Sequence, residues 1–181
     1  MASLKNKQIV LGITGSIAAY KAPELLRLLK KEQANVSCVL TENGARFVTA
    51  LTLQTLSCAT VHQSMFVNTE WDIEHISLSD KADIVVVAPA SADVIARLAG
   101  GRADDLLSSV VLAADAPVLI CPAMNTRMWK HPATQANVKK LKGYGYSFVP
   151  PVSGELACGA KGEGRLADLA DIVVNIRKLV R

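Results

Sequence analysis

Apolar residues run almost without interruption through Gln8-Ile-Val-Leu-Gly-Ile-Thr14, Val36-Ser-Cys-Val-Leu40, Ala82-Asp-Ile-Val-Val-Val-Ala88 and Val118-Leu-Ile-Cys121. A strand with one wet face alternates apolar and polar positions, whereas a short continuous run implies cover on both faces, as in a parallel sheet. Between these runs, Ile17-Ala-Ala-Tyr-Lys-Ala-Pro-Glu-Leu-Leu-Arg-Leu-Leu-Lys-Lys31 repeats its apolar residues at helical spacing. Shorter stretches predict helices over 45–48, 51–56, 77–81, 94–99, 106–113, 133–141 and 169–180, with a last short strand at Ser147-Phe-Val149. Ala82–Ala88 is the most apolar strand and is expected at the sheet centre. The pattern predicts one α/β domain over residues 1–181: a doubly wound parallel sheet with helices on both faces, three layers in all.

In such a sheet, ligands bind in the crevice beyond the carboxyl ends of the strands, so the residues there carry the candidate chemistry. The first strand runs into Gly15-Ser16 and then a helix, placing backbone N–H groups and a hydroxyl where an anion is favoured. A tight turn with Ser16 as N-cap would need the same residues. The second strand ends at Thr41 and Glu42, which could offer a hydroxyl to a phosphate or a carboxylate to a ribose; spacing alone leaves this open. The third ends in Pro89-Ala-Ser-Ala-Asp-Val94, again small residues before a helix, and a second such cradle is more than packing requires. The fourth stops at the proline of Pro122-Ala-Met-Asn-Thr-Arg-Met-Trp129, which puts Asn125 near the middle of the crevice. A plain role for Asn125 is the N-cap of a short helix, with Met128 and Trp129 in the core.

Half the residues are hydrophobic and only 4% aromatic, so the core is aliphatic. The mean hydropathy of +0.27 hints at apolar surface buried between subunits. The net charge of +4 is scattered, with Lys139, Lys140 and Lys142 on one helix face, and it lacks the aromatic interleaving of nucleic-acid surfaces. A mild positive charge suits a phosphorylated substrate. No apolar run reaches the ~18 residues of a membrane span and no signal peptide is visible, so a cytoplasmic location is expected.

Of the three histidines, His62 and His131 stand in polar loops and read as surface residues; His75 lies between apolar neighbours, where a structural role is the commoner one. The four cysteines show no metal-ligand spacing; Cys38, Cys58 and Cys121 read as small buried hydrophobes. Cys158 sits within a glycine- and proline-rich stretch over 150–165 that lacks periodicity. Such a stretch suits a lid carrying a thiol to a substrate, since exposed free cysteines are seldom incidental.

Together these motifs give a resemblance that covers nearly the whole chain. Pro122-Ala-Met-Asn-Thr-Arg-Met-Trp129 matches the pattern P-x-M-N-x-x-M-W, and Gly154-Glu-Leu-Ala-Cys-Gly-Ala-Lys-Gly-Glu-Gly-Arg165 matches G-x-L-A-C-G-x-x-G-x-G-R. Gly15-Ser-Ile-Ala-Ala-Tyr-Lys21 looks like a flavin loop, and His75 falls in an H-I-x-L context. The chain resembles the homo-oligomeric flavin-containing cysteine decarboxylases. One motif departs: the family's P-A-S-A-N-T reads Pro89-Ala-Ser-Ala-Asp-Val94, and Asp93 in place of the asparagine loses an amide donor toward the flavin.

The resemblance implies a Rossmann-like, flavodoxin-like fold that binds FMN. The phosphate would lie near Gly15, Ser16 and Thr41 and the ring near Ser91, Ala92 and the Ala123-Met124 backbone, with Ile17 and Asp93 also among the cofactor-binding residues. It implies a trimer, sometimes packed as a dodecamer, with the flavin at a subunit boundary and His75 facing it. Asn125 would hold the substrate carboxylate, His75 act as base or orienter, and Ala157 and Cys158 bind substrate, with Cys158 also the proton donor. No metal is implied. The lid wording favours the coenzyme A branch, whose substrate is a phosphorylated cysteine-containing small molecule made by a fused or separate ligase. The alternatives are a peptidyl-cysteine decarboxylase, a flavodoxin-like electron carrier without a reaction of its own, a flavin prenyltransferase and a regulatory subunit. The P-x-M-N motif and the Cys158 lid speak against the prenyltransferase, and intact His75, Asn125 and Cys158 against the regulatory subunit.

Overall fold

A computed structural model of the chain describes residues 3–66, 73–155, 159 and 161–180. In chain order the elements are β1 (Gln8–Ile13), a 3-10 turn (Ile17–Lys21), α1 (Ala22–Lys31), β2 (Asn35–Leu40), α2 (Glu42–Ala45) and α3 (Ala50–Ser57). There follow β3 (Val61–His62), α4 (Glu74–Lys81), β4 (Ile84–Ala90), α5 (Ala92–Ala99), α6 (Leu106–Ala113) and β5 (Val118–Pro122). The last are α7 (Thr126–Lys130), α8 (Pro132–Gly143), β6 (Ser147–Phe148), β7 (Val152–Glu155), β8 (Lys161–Arg165) and α9 (Leu169–Leu179).

Six strands form one parallel sheet in the order β3-β2-β1-β4-β5-β6. The chain order reverses between β1 and β4, and a doubly wound sheet opens its ligand crevice at such a switch point. Side chains alternate across both strands. Ile9, Leu11 and Ile13 of β1 and Ile84, Val86 and Ala88 of β4 pack with α1 and α9, whereas Val10, Val85 and Val87 pack with α5, α6 and α8. Cover on both faces is why these runs show no polar alternation. Gly12 belongs to the second face: a Cβ there would come within 2.4 Å of Leu107 Cδ1, so its bare backbone lets α6 settle on the sheet.

The stretch from 17 to 31 is not one α-helix. It opens as a 3-10 turn and becomes α-helical at Ala22, because Pro23 has no N–H to donate and fits only a first turn. Cys58 is exposed, contrary to the expectation of burial. It is the left-handed C-cap of α3 (φ 55°), where the chain turns out of the helix. Cys38 and Cys121 are buried, and burial pushes the Cys38 thiol up to about 12 and that of Cys121 higher still. His62 is not a loop residue. It lies in β3, paired with β2, and its Nδ1 contacts Glu74 Oε1 in the first turn of α4. His131 is exposed, as expected, and caps α8 by accepting the Ala133 N–H at 3.2 Å. The aperiodic stretch holds an antiparallel hairpin, β7–β8, which glycine-rich composition conceals.

Asp83 ties the foot of β4 to β1. It accepts the Gln8 N–H at 2.7 Å and Lys7 Nζ at 3.0 Å. Partial burial raises its pKa, but these two donors outweigh it and hold the carboxyl below its usual value. A lowered carboxyl pKa stabilises the fold fully above the ordinary value, and the contribution vanishes as pH falls through the lowered one. Asp83→Ala is therefore expected to cost about 1 kcal/mol at neutral pH. That difference should shrink as the pH is brought down from neutral through and below the ordinary carboxyl range, as checked by urea denaturation at neutral and at acid pH.

Candidate flavin site

The loops after β1, β2, β4 and β5 converge on two cavities at the carboxyl end of the sheet. One, of about 530 Å³, is lined by Gly15, Thr41, Glu42, Ser91, Ala92 and Asp93 among others. The second, of about 820 Å³, is lined by Gly15, Ser16, Ile17, Ser91, Ala92, Ala123, Met124 and Asn125, together with Glu155, Gly159, Gly164 and Arg165. Gly15, Ser91, Ala92 and Met128 belong to both, so the two join at the ends of β1 and β4. Each sequence-assigned cofactor residue thus lines one cavity or the other. Both Thr41 and Glu42 face the first, so the choice between hydroxyl and carboxylate is not made by position.

Local hydrogen bonds explain the shape. Ser16 Oγ donates to Ala123 O at 3.0 Å and accepts from Ala18 N–H at 3.4 Å, capping the 3-10 turn. Thr41 Oγ1 donates to Ile13 O and accepts the Gly44 N–H, both at 3.1 Å, capping α2. Ser91 Oγ accepts the Val94 N–H at 3.2 Å at the start of α5. Asn125 Oδ1 accepts the Arg127 N–H at 2.8 Å, so the plain capping role is real, and the residue lines the second cavity as well. Thr14, which sequence reasoning passed over, is 2% exposed; it donates to Pro89 O at 2.7 Å and accepts the Ser91 N–H at 3.0 Å. It staples the ends of β1 and β4, and its position directly after a buried strand was the available signal.

The hairpin closes over the Asn125 loop. Met124 N–H donates to Gly164 O at 3.0 Å, and a Cβ on Gly164 would stand 2.2 Å from Met124 O. On Gly162 it would stand 2.5 Å from Thr126 Oγ1. Only a bare backbone allows this approach. Ala157 and Cys158, assigned to substrate, lie outside the described residues. His75, in the first turn of α4 and partly buried, lines neither cavity of the single chain.

A family model described as Flavoprotein matches residues 1–181. The chain belongs to the flavoprotein family. This flavoprotein is 48% identical over 170 residues to the coenzyme A biosynthesis bifunctional protein CoaBC of Haemophilus influenzae, a match that covers 93% of the chain and 42% of that protein. It spans about two-fifths of the length of the CoaBC relatives it matches. Among solved structures it is similar to a cysteine-to-serine mutant of PPC decarboxylase complexed with pantothenoylaminoethenethiol. There the TM-score is 0.86 and the identity 31%, with 96% of this chain and 98% of the other covered. The FMN-dependent cysteine decarboxylase SpaF gives a TM-score of 0.85 at 28% identity, covering 95% of each chain. The Rossmann-like, flavodoxin-like fold read from the sequence is thus that of its structural relatives.

The residues present suit a flavin nucleotide. Hydroxyl-capped turns at Ser16, beside Ile17, and at Thr41 offer N–H groups to a phosphate, while Ser91, Ala92, Ala123 and Met124 line the space for a ring. Gly15 stands at the junction, where a Cβ would meet Asn43 Cβ at 2.6 Å. Asp93 does not reproduce the family's amide: its carboxylate pairs with Arg97 Nη2 at 2.9 Å.

Proposed function

We propose that this flavoprotein binds FMN and decarboxylates 4'-phosphopantothenoylcysteine to 4'-phosphopantetheine, a step in coenzyme A biosynthesis. The observation that carries the reading is the seating of Asn125 on a double cavity at the sheet's switch point, beneath a glycine-docked hairpin. Gly15, Ser16, Ile17 and Thr41 hold the phosphate end of FMN. Ser91, Ala92, Asp93, Ala123 and Met124 line its ring. Bound FMN supplies reversible two-electron oxidation of the substrate's cysteinyl unit. Asn125 grips the substrate carboxylate with a neutral amide, which orients it without opposing its departure. His75 orients the substrate or takes a proton from it. Residues 150–165 act as a clamping lid that excludes water, with Ala157 on the substrate and Cys158 protonating the ene-thiolate left after carbon dioxide departs.

Two features support a homo-oligomer, a trimer or a dodecamer built from trimers. His75 lies outside the cavities of its own chain, and Ile73, Ile76 and Leu112 expose large apolar side chains on and beside α4 and α6. In that assembly His75 serves a neighbouring copy's flavin. A ligase, fused as in the longer relatives or separate, supplies the substrate. The substrate's phosphate keeps it within the cell, so the reaction is cytoplasmic.

The test is anaerobic incubation of the FMN-loaded protein with phosphopantothenoylcysteine and, separately, with a peptide ending in cysteine, followed by mass spectrometry. Loss of carbon dioxide from the first alone is expected. Preference for the peptide would move the protein to the peptidyl branch, and turnover of neither would leave an electron carrier. For Cys158→Ser the expected product is an oxidised, decarboxylated species; release of reduced product at the wild-type rate would refute the proton-donor role.

A further inference from the structure

Under the proposed function α4 has to hold His75 in a fixed place, yet little in its own first turn secures it. The N-cap residue is Ile73, whose side chain has no oxygen to accept the free N–H groups there. Ile73 and Ile76 are exposed, and the apolar anchor comes only at Leu78, which is buried with residues of α5 and α6. The hold at the front of the helix comes from another element. His62 Nδ1 contacts Oε1 of Glu74, the residue directly before His75. A carboxylate accepts and cannot donate, so the imidazole carries its proton on Nδ1. The two side chains are 20% and 11% exposed, so water competes weakly for this bond.

His62 is itself anchored in the sheet. It lies in β3, which pairs with β2 in the register Val39–His62, and β2 leads straight to Thr41 on the wall of the first cavity. The chain after His62 lines that cavity too, through Gln63, Ser64 and Met65. One bond thus ties the residue before His75 to the sheet edge beside its own chain's flavin site. His62 itself lines neither cavity. We propose that His62 is a positioning residue for the decarboxylation: by holding Glu74 it fixes the place from which His75 reaches a neighbouring copy's flavin. The proposal rests on the reading of His75 as a group that acts at that flavin. A bond of purely structural worth would add stability and leave the rate of each assembled site alone.

The test compares wild type, His62→Ala, His62→Asn, Glu74→Ala, the double variant His62→Ala with Glu74→Ala, and His75→Asn, each as the full chain loaded with FMN. Turnover of phosphopantothenoylcysteine is measured per bound flavin, alongside FMN retention, subunit assembly by size-exclusion chromatography and thermal unfolding. His62→Ala is expected to lower kcat about tenfold, short of the ~hundredfold that a shift of ~1 Å can cost, with KM and FMN retention within about twofold. Glu74→Ala should match it, and the double variant should be no slower than either, because one bond is lost only once. His62→Asn keeps an N–H donor in the place of Nδ1 and should recover most of the rate. His62→Ala with the wild-type kcat would overturn the proposal. So would a loss traced to released flavin or dissociated subunits with the rate per bound flavin unchanged, losses that add in the double variant, or His62→Asn as slow as His62→Ala. His75→Asn as active as wild type, or a wild type that decarboxylates nothing, would instead defeat the functional reading beneath it.

Discussion

Asn125→Asp is expected to leave a folded, yellow protein that decarboxylates about a thousandfold more slowly or worse. The substitution is informative because it separates the two roles of the residue. Asn125 Oδ1 caps α7 through the Arg127 N–H. Aspartate caps as well as asparagine does, so the loop should keep its shape. The chemistry toward a substrate changes: an amide that can donate to a carboxylate becomes a second carboxylate. Like charges brought together in a confined site cost several kcal/mol, and each ~1.4 kcal/mol is a factor of ten in rate, which sets the thousandfold scale. Asn125→Ala should behave differently, losing about 1 kcal/mol of stability with the cap. Single-turnover kinetics with phosphopantothenoylcysteine, flavin absorbance and thermal unfolding give the three readouts. If Asn125→Asp retains full activity, Asn125 is a cap and nothing more.

Gly15→Val is expected to give a colourless protein with native secondary structure and FMN affinity lowered by at least about a hundredfold. Gly15 follows β1 at the junction of the two cavities, and a Cβ there would come within 2.6 Å of Asn43 Cβ. Asn43 lies in α2, directly after the Thr41 cap. A branched side chain must either fill the junction or push α2 away, and each outcome spoils the phosphate end of the site. The hundredfold scale corresponds to ~2.7 kcal/mol, within the range that overpacking costs. The hydrophobic core is spared, because Gly15 is only partly buried and lies outside both apolar clusters. Circular dichroism and the flavin absorbance of the purified protein check the two halves of this expectation.

How far the chain could be read from its residues depended on the range of the forces involved. The central strands were legible because burial on both faces leaves an unbroken apolar run, and β1 and β4 occupy the centre as that run implies. The cofactor residues were legible because a parallel sheet delivers every strand end to one edge, so Gly15, Thr41, Ser91 and Ala123 had to meet. The β7–β8 hairpin left no such trace: Gly154, Gly162 and Gly164 carry no side chains to alternate, and Gly162 and Gly164 are glycines for the sake of close approach to the Asn125 loop. His62 misled because β3 is too short to show a period, and its partner Glu74 is twelve residues on. Cys58 looked buried by residue type, whereas its place at a left-handed cap decides its exposure. The link between Asp93 and Arg97 was visible in principle, since four residues apart on a helix is the usual spacing of an ion pair.

The central claim is that one crevice, at the ends of β1, β2, β4 and β5, holds a flavin within reach of Asn125. Electron density for the FMN-loaded protein tests it most directly. The flavin should fill the joined cavities, with its phosphate at Gly15, Ser16 and Thr41 and its ring along Ser91, Ala92, Ala123 and Met124. A flavin seated elsewhere on the chain, or at these strand ends but out of reach of Asn125, would contradict the account.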